Sequence, residues 1–245
     1  MPTIAISGAG SGIGHEFLQH YAKDSSNTVH TIDVSFSDEV TDGEAPAHVT
    51  THEVNTSEPS SIENLKNDLK DKPIDIFIHS AAVRGLVKSM TEKTDDPKGA
   101  ETMEVMDAET MTMCFQVNIL GSFLLIRSLI PNLKAASAQG KSKAKCVIMG
   151  SRMGSITSNN DGGSYAYRAS KAGLNALIKS FSVDVPEVIF VIIHPGRVES
   201  RMTHVREEGA VDPDQAIEEM LPLIENFTEK DTGKFYVREG EEIPW

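Results

Sequence analysis

The chain has 245 residues, 39% hydrophobic and 24% charged, with 23 basic residues against 36 acidic ones for a formal charge of −13. That length holds one large α/β domain with a substantial core, and the acidic balance disfavours nucleic acid or an anionic membrane as partner. Cys114 and Cys146 each sit in an apolar segment; they form neither a disulfide framework nor a metal spacing and suit a reducing, cytoplasmic setting.

Met1-Pro2-Thr3 runs straight into the apolar strand Ile4-Ala5-Ile6, leaving no room for a signal peptide. No apolar run approaches the ~20 residues of a membrane span. The strand is followed by Ser7-Gly8-Ala9-Gly10-Ser11-Gly12-Ile13-Gly14 and a helical pattern through Phe17, Leu18 and Tyr21. A glycine-rich turn between strand and helix lets the backbone approach a pyrophosphate, whose charge meets free amide groups and the helix dipole. Gly8, Ser11, Gly12, Ile13 and Gly14 are the expected contacts.

The next strand, Val29 to Ile32, ends at Asp33, nineteen residues after Gly14. An acid about 20 residues past the glycines accepts hydrogen bonds from the adenosine ribose and repels a 2′-phosphate. Neither Ser11 nor Val34 supplies an offsetting cation, so NAD is expected over NADP. The polar stretch Ser35–Ala47 leads to a third strand over Val49–Val54, where Glu53 is either an acceptor for the adenine amino group or an exposed strand-end acid, and Val54 lies beside it. His48 and His52 are expected on one face of that strand, too far apart to share an ion.

Pro59–Leu69 has helical apolar spacing (Ile62, Leu65, Leu69), and Ile74–Ile78 reads as a fourth strand ending His79-Ser80-Ala81-Ala82. The small residues Ala81 and Ala82 let the backbone pass close to a ligand; His79 reads as a satisfied structural histidine. Arg84–Met111 is polar and methionine-rich, with a turn at Asp95-Asp96-Pro97-Lys98-Gly99. A long helix is expected over Met111–Leu133, carrying Asn118 in its apolar part, where a buried amide must be hydrogen-bonded. It serves as a structural clamp or as part of a proton path. Ala135–Lys145 reads as a polar linker, its lysines Lys141, Lys143 and Lys145 a solvated loop edge.

Cys146–Met149 is a fifth strand ending Gly150-Ser151, and Val188–Ile193 a sixth ending His194-Pro195-Gly196. A short helix over about Pro213–Ile224 and a strand at Lys234–Val237 complete the chain. Strands alternate with helices throughout, which predicts one Rossmann-type, doubly wound parallel sheet of about seven strands with helices on both faces. Between the fifth and sixth strands, Tyr167 and Lys171 stand four apart on a helical pattern, so both lie on one helix face. An ammonium beside a phenol favours the phenolate and brings proton exchange towards neutral pH. Tyr165 lacks such a partner. The pair alone is weak evidence and gains weight only with a cofactor site and the right order of elements.

Those elements are present: the glycine run, Asn118, Ser151, Tyr167-Arg-Ala-Ser-Lys171 and Pro195-Gly196 occur in order, and together they resemble the short-chain dehydrogenase/reductase family over nearly the whole chain. The run Gly162–Arg168 and the segment ending Gly240–Trp245 look like the branch of C-factor and sniffer-type carbonyl reductases. The resemblance implies a small carbonyl or alcohol substrate and Tyr167 exchanging a proton with the substrate oxygen while hydride passes at nicotinamide C4. It further implies that Ser151 hydrogen-bonds that oxygen, Lys171 tunes Tyr167 and holds the nicotinamide ribose, and Asn118 anchors a water leading from Lys171 to solvent. Pro195, Gly196 and Val198 lie near the nicotinamide, with Ser200 beside its carboxamide, and about 197–212 covers the substrate. A homodimer or homotetramer through the Met111–Leu133 and Gly163–Phe181 helices is implied as well. Short, polar cover over the site predicts an open cleft for small or flat carbonyl compounds. The runner-up readings are an NADPH-linked reductase and a nucleotide-binding sensor on the same fold.

The sequence departs from the family pattern at three places. Ser7 stands where threonine is usual, His79-Ser80-Ala81-Ala82 replaces Asn-Asn-Ala-Gly, and Ser151 precedes Tyr167 by sixteen positions, so the intervening loop must bulge.

Overall fold

The computed structural model describes residues 1–36, 46–93, 96–140, 142–200, 202, 203, 205 and 208–245. Most of the polar stretch after Asp33, Asp95 of the expected turn, Lys141 of the lysine group, and Arg201, His204, Arg206 and Glu207 of the substrate-covering segment lie outside the described residues.

Seven strands, β1 (Thr3–Ser7), β2 (Thr28–Asp33), β3 (Val49–Glu53), β4 (Ile76–His79), β5 (Lys145–Met149), β6 (Ile189–His194) and β7 (Lys234–Val237), form one sheet in the order β3-β2-β1-β4-β5-β6-β7. Every pairing is parallel. Alternation along the strands sorts the core into two layers. Ala5, Phe77, Cys146, Ile148, Phe190 and Ile192 face one cluster; Ile4, Ile6, Ile78, Val147, Val191 and Ile193 face the other.

The helices close the two faces: α1 (Gly12–Ala22), α2 (Pro59–Asp68), the short α3 (Lys88–Thr91), α4 (Ala108–Gln139), α5 (Tyr165–Asp184) and α6 (Pro213–Asn226). The first cluster takes Ile62 and Leu65 of α2, Leu125 and Leu129 of α4, and Leu174 and Ile178 of α5. The second takes Phe17 and Leu18 of α1 and Ala216, Ile217 and Met220 of α6.

α4 is longer than its sequence pattern suggests, and the expected linker shrinks to 140–144. The alanine-rich turn after Leu133 continues the helix because Ala136 packs into the core, and Lys145 begins β5. Its ammonium donates to the Ile224 and Glu225 carbonyls at 2.7 and 2.6 Å, capping the last turn of α6 with a cation. By length and composition α4 matches a membrane span, contrary to expectation. Here its apolar face packs on the sheet through Leu125, Ile126, Leu129 and Leu133.

Two further elements differ from expectation. Ile74 lies ahead of β4 and is held by its amide to the Asn132 carbonyl. His48 also precedes its strand and bonds the Ala22 carbonyl, while His52 turns inward to pair with His30 of β2 at 3.1 Å. His52 is thus held from the neighbouring strand, by the residue diagonal to its register partner Ile32.

The order of the strands reverses between β1 and β4, the place where α/β sheets open a crevice beyond their carboxyl ends. Ser7, Asp33, His79, Met149 and His194 are the last residues of the five strands around it.

Candidate active site

A cleft of about 1370 Å³ runs along that edge. Of the sequence-predicted residues it is lined by Gly8, Ser11, Gly12, Ile13, Asp33, Val54, Ala81, Ala82, Ser151, Tyr167, Lys171, Pro195, Gly196 and Val198, and also by Ser200. Gly14, Glu53 and Asn118 do not line it, each for a readable reason. Gly14 is buried beneath the turn, where a Cβ would collide with the Gly8 carbonyl. Glu53 points outward from the exposed edge strand β3, whereas the amide of Val54 bonds the Asp33 carbonyl at 2.7 Å and turns the chain in. Asn118 lies behind the cleft wall, 1% exposed.

The backbone at the glycine run is shaped for a close approach. Gly8 has φ 73°, and a Cβ on it would stand 2.6 Å from the Ala81 amide nitrogen, so both the conformation and the space require glycine. Ser11 precedes α1 with no side-chain cap, leaving first-turn amides of α1 directed at the cleft. Asp33 accepts from the Gly10 amide at 2.8 Å and the Val34 amide at 2.7 Å, which fixes its carboxylate beside the turn. This cradle of glycine backbone, helix N-terminus and ribose-side acid fits a dinucleotide.

At the other end of the cleft the three polar residues come together from different elements. Ser151 follows β5 with its hydroxyl beside the phenol of Tyr167, whose pKa it helps to hold down, while its Oγ accepts from the Met153 amide at 3.2 Å. Tyr167 lies in the first turn of α5, 7% exposed. Gly162, Gly163 and Ser164 precede it at φ 66°, 64° and 49°, and this left-handed run is how the long loop after Ser151 turns into the helix. Lys171, 3% exposed, donates from Nζ to the Met149 carbonyl at 3.0 Å and stands 5.7 Å from the centre of the Tyr167 ring.

Burial pushes the Lys171 ammonium down to about 8 and pushes the Tyr167 phenol up. The main force against the latter is a cation that the sequence pattern does not single out. The guanidinium of Arg84 lies over the Tyr167 ring at 4.9 Å and lowers its pKa, followed by the hydrogen bond from Ser151. Arg84 in turn forks onto the buried Glu101, with Nε and Nη2 both 2.9 Å from the carboxylate.

Asn118 sits in a π-helical segment of α4, Gln116–Gly121, where one extra residue per turn shifts a side chain out of α-helical register. Its Nδ2 donates to the Val83 carbonyl at 2.8 Å and to Ser170 Oγ at 3.0 Å, and its Oδ1 accepts from the Val83 amide at 2.9 Å. Of the two readings open from sequence, the contacts present are those of a clamp on the chain after β4. His79 is buried between two hydroxyls, Ser7 to Nδ1 and Ser122 to Nε2, each at 2.7 Å. The ring ties β1, β4 and α4 together, and burial pushes it down to about 3. His194, read from the sequence only as a strand end, lines the cleft at the end of β6 with its Nδ1 lacking a partner.

The segment expected to cover the substrate is fastened at both ends, with Val198 bridging Val211 and the Glu199 amide bonded to the Val211 carbonyl. Beside the site, Ser155 Oγ donates to the Pro244 carbonyl and Thr157 to that of Trp245, so 244–245 brace the loop after Ser151.

Fold and site together define a dinucleotide-binding α/β oxidoreductase. The chain matches the short chain dehydrogenase family over residues 2–210 and belongs to it. It is 30% identical over 175 residues to the C-signal protein of Myxococcus xanthus, covering 71% of this chain and 93% of that one. It is 27% identical to the 1-hydroxy-2-glutathionyl-2-methyl-3-butene dehydrogenase of a Rhodococcus species over the full length of both. Among solved structures, the NADPH-bound carbonyl reductase from chicken fatty liver superimposes with a TM-score of 0.84 at 25% identity, covering 100% of this chain and 99% of that one. The Drosophila melanogaster carbonyl reductase Sniffer shares the fold with a TM-score of 0.85 at 24% identity, covering 100% of both chains.

Proposed function

We propose that this protein is an NAD-dependent oxidoreductase acting on a small carbonyl compound or the corresponding alcohol, with Tyr167 as general acid and base. The observation that carries this reading is the phenol of Tyr167 buried at the cleft beside Ser151, with its ring centre 5.7 Å from the Lys171 ammonium. A bound nicotinamide dinucleotide supplies or accepts the hydride at its C4. The chain's own residues do the rest. Tyr167 gives its hydroxyl proton to the substrate oxygen in reduction and takes it back in oxidation. Ser151 donates a hydrogen bond to the same oxygen as charge gathers there. Lys171, charged below about pH 8, adds positive potential at the buried site and would hold a ribose hydroxyl. Asn118 keeps the chain after β4 in place and is the group from which a water path to Lys171 would start. The test is NADH consumption against aldehydes, ketones and quinones; no turnover on any of them, despite tight cofactor binding, favours the sensor reading, for which the likeness to C-signal speaks.

The preference for NAD rests on Asp33, a fixed carboxylate lining the ribose end of the cleft, which repels a 2′-phosphate. The NADPH named with the chicken reductase favours the second reading, an NADPH-linked enzyme. Fluorescence titration separates them. NADH is expected to bind more tightly, and Asp33→Ala to weaken it roughly tenfold, a loss of about 1.4 kcal/mol. Tighter NADPH binding, indifferent to Asp33→Ala, overturns the NAD assignment.

We further infer a homodimer or homotetramer formed through α4 and α5, on which Met113, Leu120 and Val183 are exposed apolar residues. Multi-angle light scattering at micromolar concentration is expected to give two or four chain masses; a single chain mass refutes it. Two free, buried cysteines suit a cytoplasmic setting.

A further inference from the structure

The segment after β4 has the least legible sequence in the chain, yet it reaches the reacting tyrosine. Val83 is held at both its amide and its carbonyl by Asn118. Gly85, at φ 77°, packs so tightly against α5 that a Cβ would stand 3.0 Å from that of Ala166 and 3.2 Å from the Cys114 sulfur. Arg84 lies between these two fixed points, and its guanidinium carbon is 4.9 Å from the centre of the Tyr167 ring.

The cation does not hang free in the cleft. Glu101 receives it in a two-pronged ion pair, with side-chain exposures of 13% for Arg84 and 4% for Glu101. A guanidinium matches a carboxylate in this planar geometry and stacks on an aromatic face, neither of which a lysine reproduces. Glu101 is itself anchored to the start of α5, its backbone carbonyl accepting from the Ser164 amide at 2.9 Å. The same residue thus holds the entry to the tyrosine helix by its backbone and the arginine over the tyrosine by its side chain.

We propose that Arg84, carried by Glu101, is a positioning residue for Tyr167: it presses on the ring face to fix the phenol towards Ser151, and its charge favours the phenolate. The inference rests on the reading of Tyr167 as acid and base. The ionisable groups facing the phenol are Arg84 and Glu101 from this segment, Cys114 from α4 and Lys171 from α5 itself. Arg84 is the nearer of the two cations to the ring, at 4.9 Å against 5.7 Å for Lys171. Glu101 and Cys114 act in the opposite sense to Arg84.

The experiment is the pH profile of kcat/KM for carbonyl reduction, whose alkaline limb reports loss of the Tyr167 proton. Arg84→Met is expected to move that limb up by roughly one pH unit, the lower end of what a neighbouring charge does. Glu101→Gln leaves the cation, removes the opposing carboxylate, and is expected to move the limb down; Arg84→Lys keeps the charge and stays closer to the wild type. Arg84→Met strands a buried carboxylate and is the variant at risk of not folding. The double variant Arg84→Met/Glu101→Gln avoids this, and its limb is expected above that of Glu101→Gln alone. Coincident limbs for those two variants overturn the proposal, since a merely structural role lowers kcat without moving the limb. Tyr167→Phe is run alongside. If it keeps wild-type turnover, the reading of Tyr167 fails, and that outcome is distinct from a failure of Arg84.

Discussion

Tyr167→Phe is expected to lower kcat for NADH-linked carbonyl reduction by about 10²–10⁴-fold, the range a positioned acid contributes, with the cofactor dissociation constant near the wild-type value. The substitution keeps the ring over which the Arg84 guanidinium lies at 4.9 Å and removes only the hydroxyl beside Ser151. Direction of reaction sharpens the expectation. Burial holds the phenol above its ordinary value, so near neutral pH Tyr167 is protonated and ready to donate. Reduction then proceeds on a plateau that falls only as pH rises through the phenol's pKa, whereas oxidation, which needs phenolate, climbs with pH. Turnover surviving in Tyr167→Phe at the wild-type rate defeats the acid–base role. Loss of cofactor binding together with turnover points to collapse of the cleft instead.

The parts of this protein written in local pattern are legible in the sequence. Strand ends carry most of the site, and each strand announces itself by a short apolar run. The glycine turn, Asp33, Ser151 and Pro195-Gly196 can therefore be placed by counting along the chain. Tyr167 and Lys171 share a helix, so their meeting follows from helical spacing. What escapes such reading depends on partners far apart in sequence. Arg84 and Glu101 stand seventeen positions apart, across the short α3 and a 3₁₀ turn at Pro97–Ala100, with no shared periodicity to bring them together. The π-segment around Asn118 fits an ordinary apolar helical pattern, since one extra residue per turn leaves hardly a trace in hydrophobicity. The His30–His52 pair arises from the register of two parallel strands, which neither strand specifies alone.

Two of the departures from the family pattern are coupled in space. Ser7 and His79 look like two separate changes in the sequence, but they touch: the Ser7 hydroxyl bonds His79 Nδ1 and Ser122 takes the other ring nitrogen. The hydroxyl retained at position 7 supplies one of the two partners that a buried histidine at position 79 needs. Similarly, the long spacing from Ser151 to Tyr167 is absorbed by a short 3₁₀ turn at Arg152–Gly154 and by the left-handed run before α5. The separation of Ser151 and Tyr167 in space is thus set by the loop's turns, not by its length.

The same histidine predicts how the fold responds to acid. Burial pushes His79 from its ordinary 6.5 to about 3, with the Lys171 charge as the second cause. His194 is lowered to about 4, again by burial first. A histidine whose folded value is depressed binds a proton more readily in the unfolded chain. Stability from this source is therefore complete above about pH 6.5 and falls steadily as pH drops towards the folded values. Each pH unit crossed by one such group costs about 1.4 kcal/mol, so His79 alone removes about 3 kcal/mol between pH 6.5 and 4.5, out of a typical total of about 5–15 kcal/mol. That window lies above the range where Asp107 and Asp231, whose carboxylates are held low by hydrogen bonds, begin to take up protons. Urea unfolding followed by circular dichroism at several pH values is expected to show the midpoint falling steeply from about pH 6.5 to 4.5. In His79→Asn, which keeps a polar partner for Ser7 and Ser122 but cannot titrate, the starting stability is expected to be lower and the slope shallower by one proton. An unchanged slope in that variant would show that His79 charges in the folded state without cost, and burial of the ring would then not be the source of the acid sensitivity.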